Sequence, residues 1–289
     1  MNRSFALLVT AFAWSIAPAV AWAQSCDKTL IIDTADWSAA GAWSPLGEPL
    51  STQRVCIPAG DVVHVTTSSA TCESIQIGSG AMMKISNDGN LTLYADSTVN
   101  GKIEFLNDGE LTIADDLTID GDGGFIGQNQ GNNGVIKGSG ILTIEPTGAS
   151  NGDPADSVRI TTYNGPMDIK VELVNNAWVQ ADGYILTLST NPKRGNGFWH
   201  ATEENLAGGN SKIKVDVEVT GSGTWLVDDA IGEIEFNVAC DELTGPIKLT
   251  ANGELDINQD LCTTGHLTFN DGTIDVATDR TAKFSGTCP

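Results

Sequence analysis

The apolar and polar positions of this chain alternate in short runs, and each run is introduced by a turn. The clearest example is Asn87-Asp88-Gly89-Asn90-Leu91-Thr92-Leu93, which returns twenty residues later as Asn107-Asp108-Gly109-Glu110-Leu111-Thr112-Ile113. Asn, Asp and Gly tolerate the positive φ of tight turns, and the alternation that follows puts Leu and Ile on one face of a strand. The phrase comes back near the end as Ala251-Asn252-Gly253-Glu254-Leu255-Asp256-Ile257 and Asn270-Asp271-Gly272-Thr273-Ile274-Asp275-Val276. A turn-plus-strand unit with a period near twenty predicts a β-solenoid, in which each repeat stacks on its neighbours. Helical periodicity is nearly absent. Within this pattern Asp168–Val174 and Ile213–Val219 read as strands, while 121–134 and 191–211, rich in Gly, Asn and Pro, read as loops. The competing architecture is a β-sandwich, which also uses short strands and frequent turns.

The first 23 residues read as an export signal. Arg3 provides the basic start, Phe5 to Val20 an apolar stretch and Ala21-Trp22-Ala23 a small-x-small cleavage site, so cleavage is expected between Ala23 and Gln24. No later run reaches the roughly 18 apolar residues of a membrane helix. The expectation is a secreted or periplasmic chain without membrane insertion. Its net charge of −22 argues against nucleic acid as a partner and makes cations plausible ones. Six Cys follow the signal, which suits an oxidising compartment. Their spacing leaves many connectivities open; Cys56 with Cys72 and Cys240 with Cys262, about one repeat apart, are the expected pairs.

Residues 24–61 are not repetitive and predict an N-terminal cap, with Trp37 and Trp43 covering the first turn. The solenoid then occupies 62–289 in about eleven rungs. Asp36-Trp37-Ser38, Ala42-Trp43-Ser44-Pro45, Val55-Cys56-Ile57-Pro58-Ala59-Gly60 and the strand after it, then Ser74-Ile75-Gln76-Ile77-Gly78-Ser79-Gly80-Ala81 resemble the start of the eight-glycine domain. They are also similar to the opening rungs of exported bacterial pectin-lyase-like proteins. The resemblance covers residues 36 to 95, and several glycines that give the domain its name are missing here. It implies an all-β, right-handed parallel β-helix and says little about activity, since such modules sit on binding, adhesive and enzymatic proteins alike.

Candidate chemistry is sparse. A glycoside hydrolase needs two carboxylates about 5 to 9.5 Å apart, and Asp115-Asp116 and Asp228-Asp229 are the adjacent pairs. Neighbours on a strand face opposite ways, so each pair presents one outward carboxylate unless it lies in a turn. Gly265-His266-Leu267 and Arg159-Ile160-Thr161 depart from the Gly-His-Gly and Arg-Ile-Lys of polygalacturonase-like enzymes. Calcium is the ligand that turns such as Asp120-Gly121-Asp122 would take, through hard oxygen donors; the plainer reading gives those residues to turn geometry. Phe198-Trp199-His200 reads as an exposed aromatic contact site in a loop, against the alternative that the rings fold over an apolar rung. The expected function is a non-catalytic binding or surface-structural protein that recognises polysaccharide or a cell-surface component, with no cofactor other than calcium. The alternative is a carbohydrate-active enzyme, either a polysaccharide lyase or a glycoside hydrolase.

Overall fold

The computed structural model describes residues 25–86, 88–121, 124–146, 158–202 and 211–284. The chain is a parallel β-helix. Each turn contributes one short strand to each of three sheets, with ten, eleven and ten members in spatial order. A three-stranded sheet, Cys240–Leu243, Leu261–Thr263 and Ala282–Phe284, carries the first sheet onward through a parallel bridge from Gly221 to Leu243. Apart from one antiparallel pair at the start, all ladders are parallel. The one helical element among the described residues is a 3₁₀ turn, Ala40–Ala42.

The repeats legible in the sequence stack on one another. Asn90–Leu93 pairs in register with Glu110–Ile113, and Glu254–Ile257 with Thr273–Val276. Inward positions then form columns along the rod. One of them runs Leu91, Leu111, Ile136, Ile169, Leu188, Val215, Phe236, Ile257 and Val276. All but the last are buried, and strands about 4.8 Å apart keep these side chains in contact. The turn residues divide their work. Positive φ falls on Asp88, Asn107 and Asn252, whereas Gly89 and Gly109 are needed for close approach. A Cβ at Gly89 would lie 2.2 Å from the Val65 carbonyl oxygen, and one at Gly109 2.4 Å from that of Ile85.

Several expectations change. Asp168–Val174 is two strands, Met167–Ile169 and Glu172–Asn175, divided by a corner. Ile213–Val219 likewise divides into Ser211–Val215 and Val219–Thr220. A rung has three corners, so a run of alternating residues longer than six crosses one. The expected 121–134 loop contains the strand Phe125–Gln130. Inward-facing Gln128 is fully buried there, and its amide donates to the carbonyls of Asn107, Gln130 and Asn132.

The cysteine pairs also differ. Cys26 is bonded to Cys56. Cys56 lies at an outward position of Arg54–Ile57, whereas Cys72 points into the core from Ala70–Cys72 on another sheet. These two therefore cannot meet, and burial raises the pKa of the Cys72 thiol. Cys262 is disulfide-bonded, but not to Cys240. The register sets Cys240 opposite Leu261, so Cys262 faces the other side of its strand.

At the N-terminal end Lys28–Leu30 pairs with both Arg54–Ile57 and the antiparallel segment Trp43–Ser44. Trp37 and Trp43 are fully buried there, edge to face at 5.3 Å, and Trp43 Nε1 donates to the Trp37 carbonyl. No helix among the described residues is long and apolar enough to cross a membrane.

Candidate functional site

The outer faces of the sheets are half-exposed along most of the rod, with one exception. On the second sheet, Trp178–Asp182 pairs with Phe198–Thr202 in the register Trp178 to Phe198, Gln180 to His200 and Asp182 to Thr202. Arg159–Thr161 lies on one side of this pair and Thr224–Val227 on the other. Val179, Ala181, Trp199 and Ala201 fill the interior, as alternation requires. The outward set, Thr161, Trp178, Gln180, Asp182, His200 and Thr202, is buried as well, at 5 % exposure or less. The matching outward positions Lys102 and Lys248, on strands of this sheet to either side of the pair, are exposed.

Burial of so many polar groups demands partners. The Phe198 and Trp178 rings stack at 4.3 Å and 10°, and His200 meets the Trp178 ring edge-on at 5.6 Å. His200 Nε2 lies 2.8 Å from Asp228 Oδ1. Burial works to raise the Asp228 pKa, but the hydrogen bond and charge of His200, with the Thr202 hydroxyl, hold it below the usual carboxylate range. His200 Nδ1 and Gln180 Oε1 are buried without a hydrogen-bond partner. An orphaned buried polar atom costs about 1–3 kcal/mol, and here two stand on neighbouring register positions. Toward the start of the rod the face continues into Phe125, which lies under the Lys102 ammonium at 5.7 Å and the Arg159 guanidinium at 5.5 Å. Tyr163 packs on Phe125, and burial, helped by Glu104, pushes its hydroxyl up to about 12.

A second polar feature lies at the corner between the third and first sheets. A cleft of about 390 Å³ is lined by Asp27, Arg54, Glu73, Ser74, Ala95, Asp96 and Asp115. One carboxylate oxygen each of Asp96, Asp115 and Asp116 lie within 4.8 Å of one another. All three residues are exposed, and Asp116 Oδ1 also accepts from the Ile141 N–H.

The residues singled out in the sequence are dispersed by this geometry. Phe198, Trp199 and His200 are not in a loop; they belong to the strand Phe198–Thr202. Trp199 points inward and stacks on Trp225 at 5.0 Å and 11°, so it is core. Phe198 and His200 face outward and join the site. Asp228 belongs to it too, whereas Asp229 is its neighbour in the turn after Thr224–Val227. Asp115 and Asp116 lie at a different corner, several rungs away, so the two carboxylate pairs share no groove. Asp120 is half-buried beside Glu145, and burial together with that carboxylate raises its pKa; Asp122 lies outside the described residues. The cleavage position at Ala23 and Gln24 also lies outside them.

Trp178, Gln180 and Asp182 escaped the sequence reading, yet a signal was present. Trp178-Val179-Gln180-Ala181-Asp182 and Phe198-Trp199-His200-Ala201-Thr202 share the order aromatic, apolar, polar, Ala, polar at a spacing of twenty. That is the same period as the turn repeat. No family model, curated protein or solved structure matches this chain.

Proposed function

We propose that this chain is an exported, non-catalytic β-solenoid that binds a polyhydroxylated ligand, a polysaccharide, on the outer face of its second sheet. The observation that carries the reading is the buried outward set Thr161, Trp178, Gln180, Asp182, His200 and Thr202, with unpartnered atoms on Gln180 and His200. Those atoms are closed to solvent, so a ligand would meet this face at its rim, where its hydroxyls would donate to the Asp228 carboxylate and its ring would stack on Phe198. Half-exposed Phe198 and Asp228 form the accessible rim. The disulfide Cys26–Cys56 fits an oxidising destination, and the resemblance of residues 36 to 95 to exported β-helix proteins points the same way.

One observation favours a second reading, the carbohydrate-active enzyme. Asp228 and His200 form a carboxylate–imidazole pair, and Asp182 stands two register positions from Asp228, about 9–10 Å along the sheet at the usual strand spacing. That lies at the upper end of the range used by inverting glycosidases.

The test incubates the purified chain with a polysaccharide panel, with and without calcium, and follows gel retention and release of new sugar ends together. Retention without new ends, weakened at least tenfold by Phe198→Ala in a normally folded variant, supports the binding reading. New ends abolished by Asp228→Asn transfer the protein to the enzymes. Retention unaffected by either substitution contradicts both. Calcium dependence abolished by Asp115→Asn with Asp116→Asn would assign the ion to the corner cleft.

A further inference from the structure

Among the described residues, the last turn is finished differently from the first. Leu267–Phe269, Thr273–Val276 and Ala282–Phe284 are the outermost described strands of their sheets, and Leu267–Phe269 and Thr273–Val276 present edges for pairing. Their inward residues are not covered. Leu267, Ile274, Val276 and Phe284 are only partly buried and Phe269 is 50 % exposed, whereas Ile247, Leu249, Leu255 and Ile257, on which they stack, are buried. An exposed edge with apolar side chains is a template for another strand.

Charge decides which strand. The outward column of the third sheet at this end is Glu235, Asp256 and Asp275, in register, with Glu233 and Glu254 in the next column. Lys212 and Lys214 stand at the far side, and Lys212 is already committed to Glu233 and Glu235. Burial and the neighbouring carboxylates of Asp256 and Asp275 raise the Glu254 pKa, against the opposing charge of Lys212. A second copy of the chain would bring the same carboxylates and a net charge of −22 to the contact, and like charges directly opposite are destabilising. The closed N-terminal end could not extend the first sheet either, because Trp43–Ser44 blocks its edge.

We propose that the open end accepts an extended strand from a partner polypeptide whose apolar and basic side chains alternate. Its apolar residues continue the interior columns over Ile274 and Val276, and its Lys or Arg residues stand beside Asp275 and Asp256.

The test uses the full chain and three labelled peptides: alternating Val and Lys, alternating Val and Glu, and the Val–Lys peptide with a central Pro. Binding is followed by fluorescence anisotropy and located by amide hydrogen exchange. The Val–Lys peptide should bind and slow exchange at Thr273–Val276. The central Pro removes a ladder donor and should weaken binding at least tenfold. Asp275→Lys, an exposed substitution, should shift preference toward the Val–Glu peptide. Equal binding of the Pro peptide, or protection elsewhere on the acidic surface, would reduce the effect to unspecific charge attraction and overturn the proposal. A sedimentation result showing the chain alone as a dimer with this end protected would overturn it in favour of a second copy. Absence of binding by all three peptides would overturn it outright.

Discussion

The two ends of this rod solve the same problem in opposite ways. At the start, Trp37 and Trp43 pack edge to face over the first rung, an antiparallel segment blocks the first-sheet edge, and a disulfide ties Cys26 to Cys56. Lys28, itself buried, donates to the Pro45 and Leu46 carbonyls and holds the covering loop. At the other end of the described chain the same inward columns finish on half-exposed Ile274 and Val276. A solenoid gains stability from each neighbouring interface, so a terminal rung has one interface where an interior rung has two. Large aromatics replace the missing neighbour at the start. The other end has a disulfide of its own at Cys262, but among the described residues no buried aromatic covers its last rung, and that is where a partner strand would add most.

The contrast can be broken by mutation. Trp43→Ala should cost about 3–5 kcal/mol, as for other buried aromatics. Phe269→Ala at the open end should cost less than about 1 kcal/mol, within the range of exposed substitutions; denaturant titration of both variants makes the comparison. Equal losses would remove it. Replacing Cys26 and Cys56 with Ser should cost about 3–4 kcal/mol, since their separation of 30 residues sets the loop closed in the unfolded chain. The added exchange should concentrate in Lys28–Leu30 and leave Thr273–Val276 unchanged.

Between the ends, Lys193 offers a calibration. It points inward, fully buried, and donates to the carbonyls of Val171, Ser189 and Asn191. Burial lowers its pKa from 10.5 to about 8. Below pH 8 it is charged in both states. Between about 8 and 10.5 the unfolded chain holds the extra proton, so stability should rise with pH, by at most about 3 kcal/mol. Lys193→Met should abolish that slope without altering exchange at either end. The smallest effect belongs to Glu254. Its raised pKa means that the folded state holds the extra proton, so the open end should tighten slightly as pH falls through the carboxylate range. Exchange at Thr273–Val276 measured from pH 7 to 4 checks the sign.

The solenoid was legible because its turn chemistry and its alternation repeat with one period, and Asn90 and Glu110 do stack as their spacing implies. The number of corners per turn was not. A corner such as Lys170–Val171 redirects the chain to the next sheet without breaking the apolar alternation, so Met167–Ile169 and Glu172–Asn175 read as one strand. The candidate site was half visible. Phe198 and His200 stood out by their rarity, but their direction depends on register, and Trp199 between them is core for the same reason. Gln180 and Asp182 looked like ordinary outward polar residues; only the stacking of neighbouring rungs shows them buried. The cysteine pairs failed through direction as well, since spacing near one rung brings two residues close only when both point to the same side.

Native-state hydrogen exchange along the rungs tests the account most directly. The prediction is slow exchange at Arg54–Ile57, directly under the cap, and exchange at least a hundredfold faster at Leu267–Phe269 and Thr273–Val276. Equal protection at both ends of the isolated chain would contradict it.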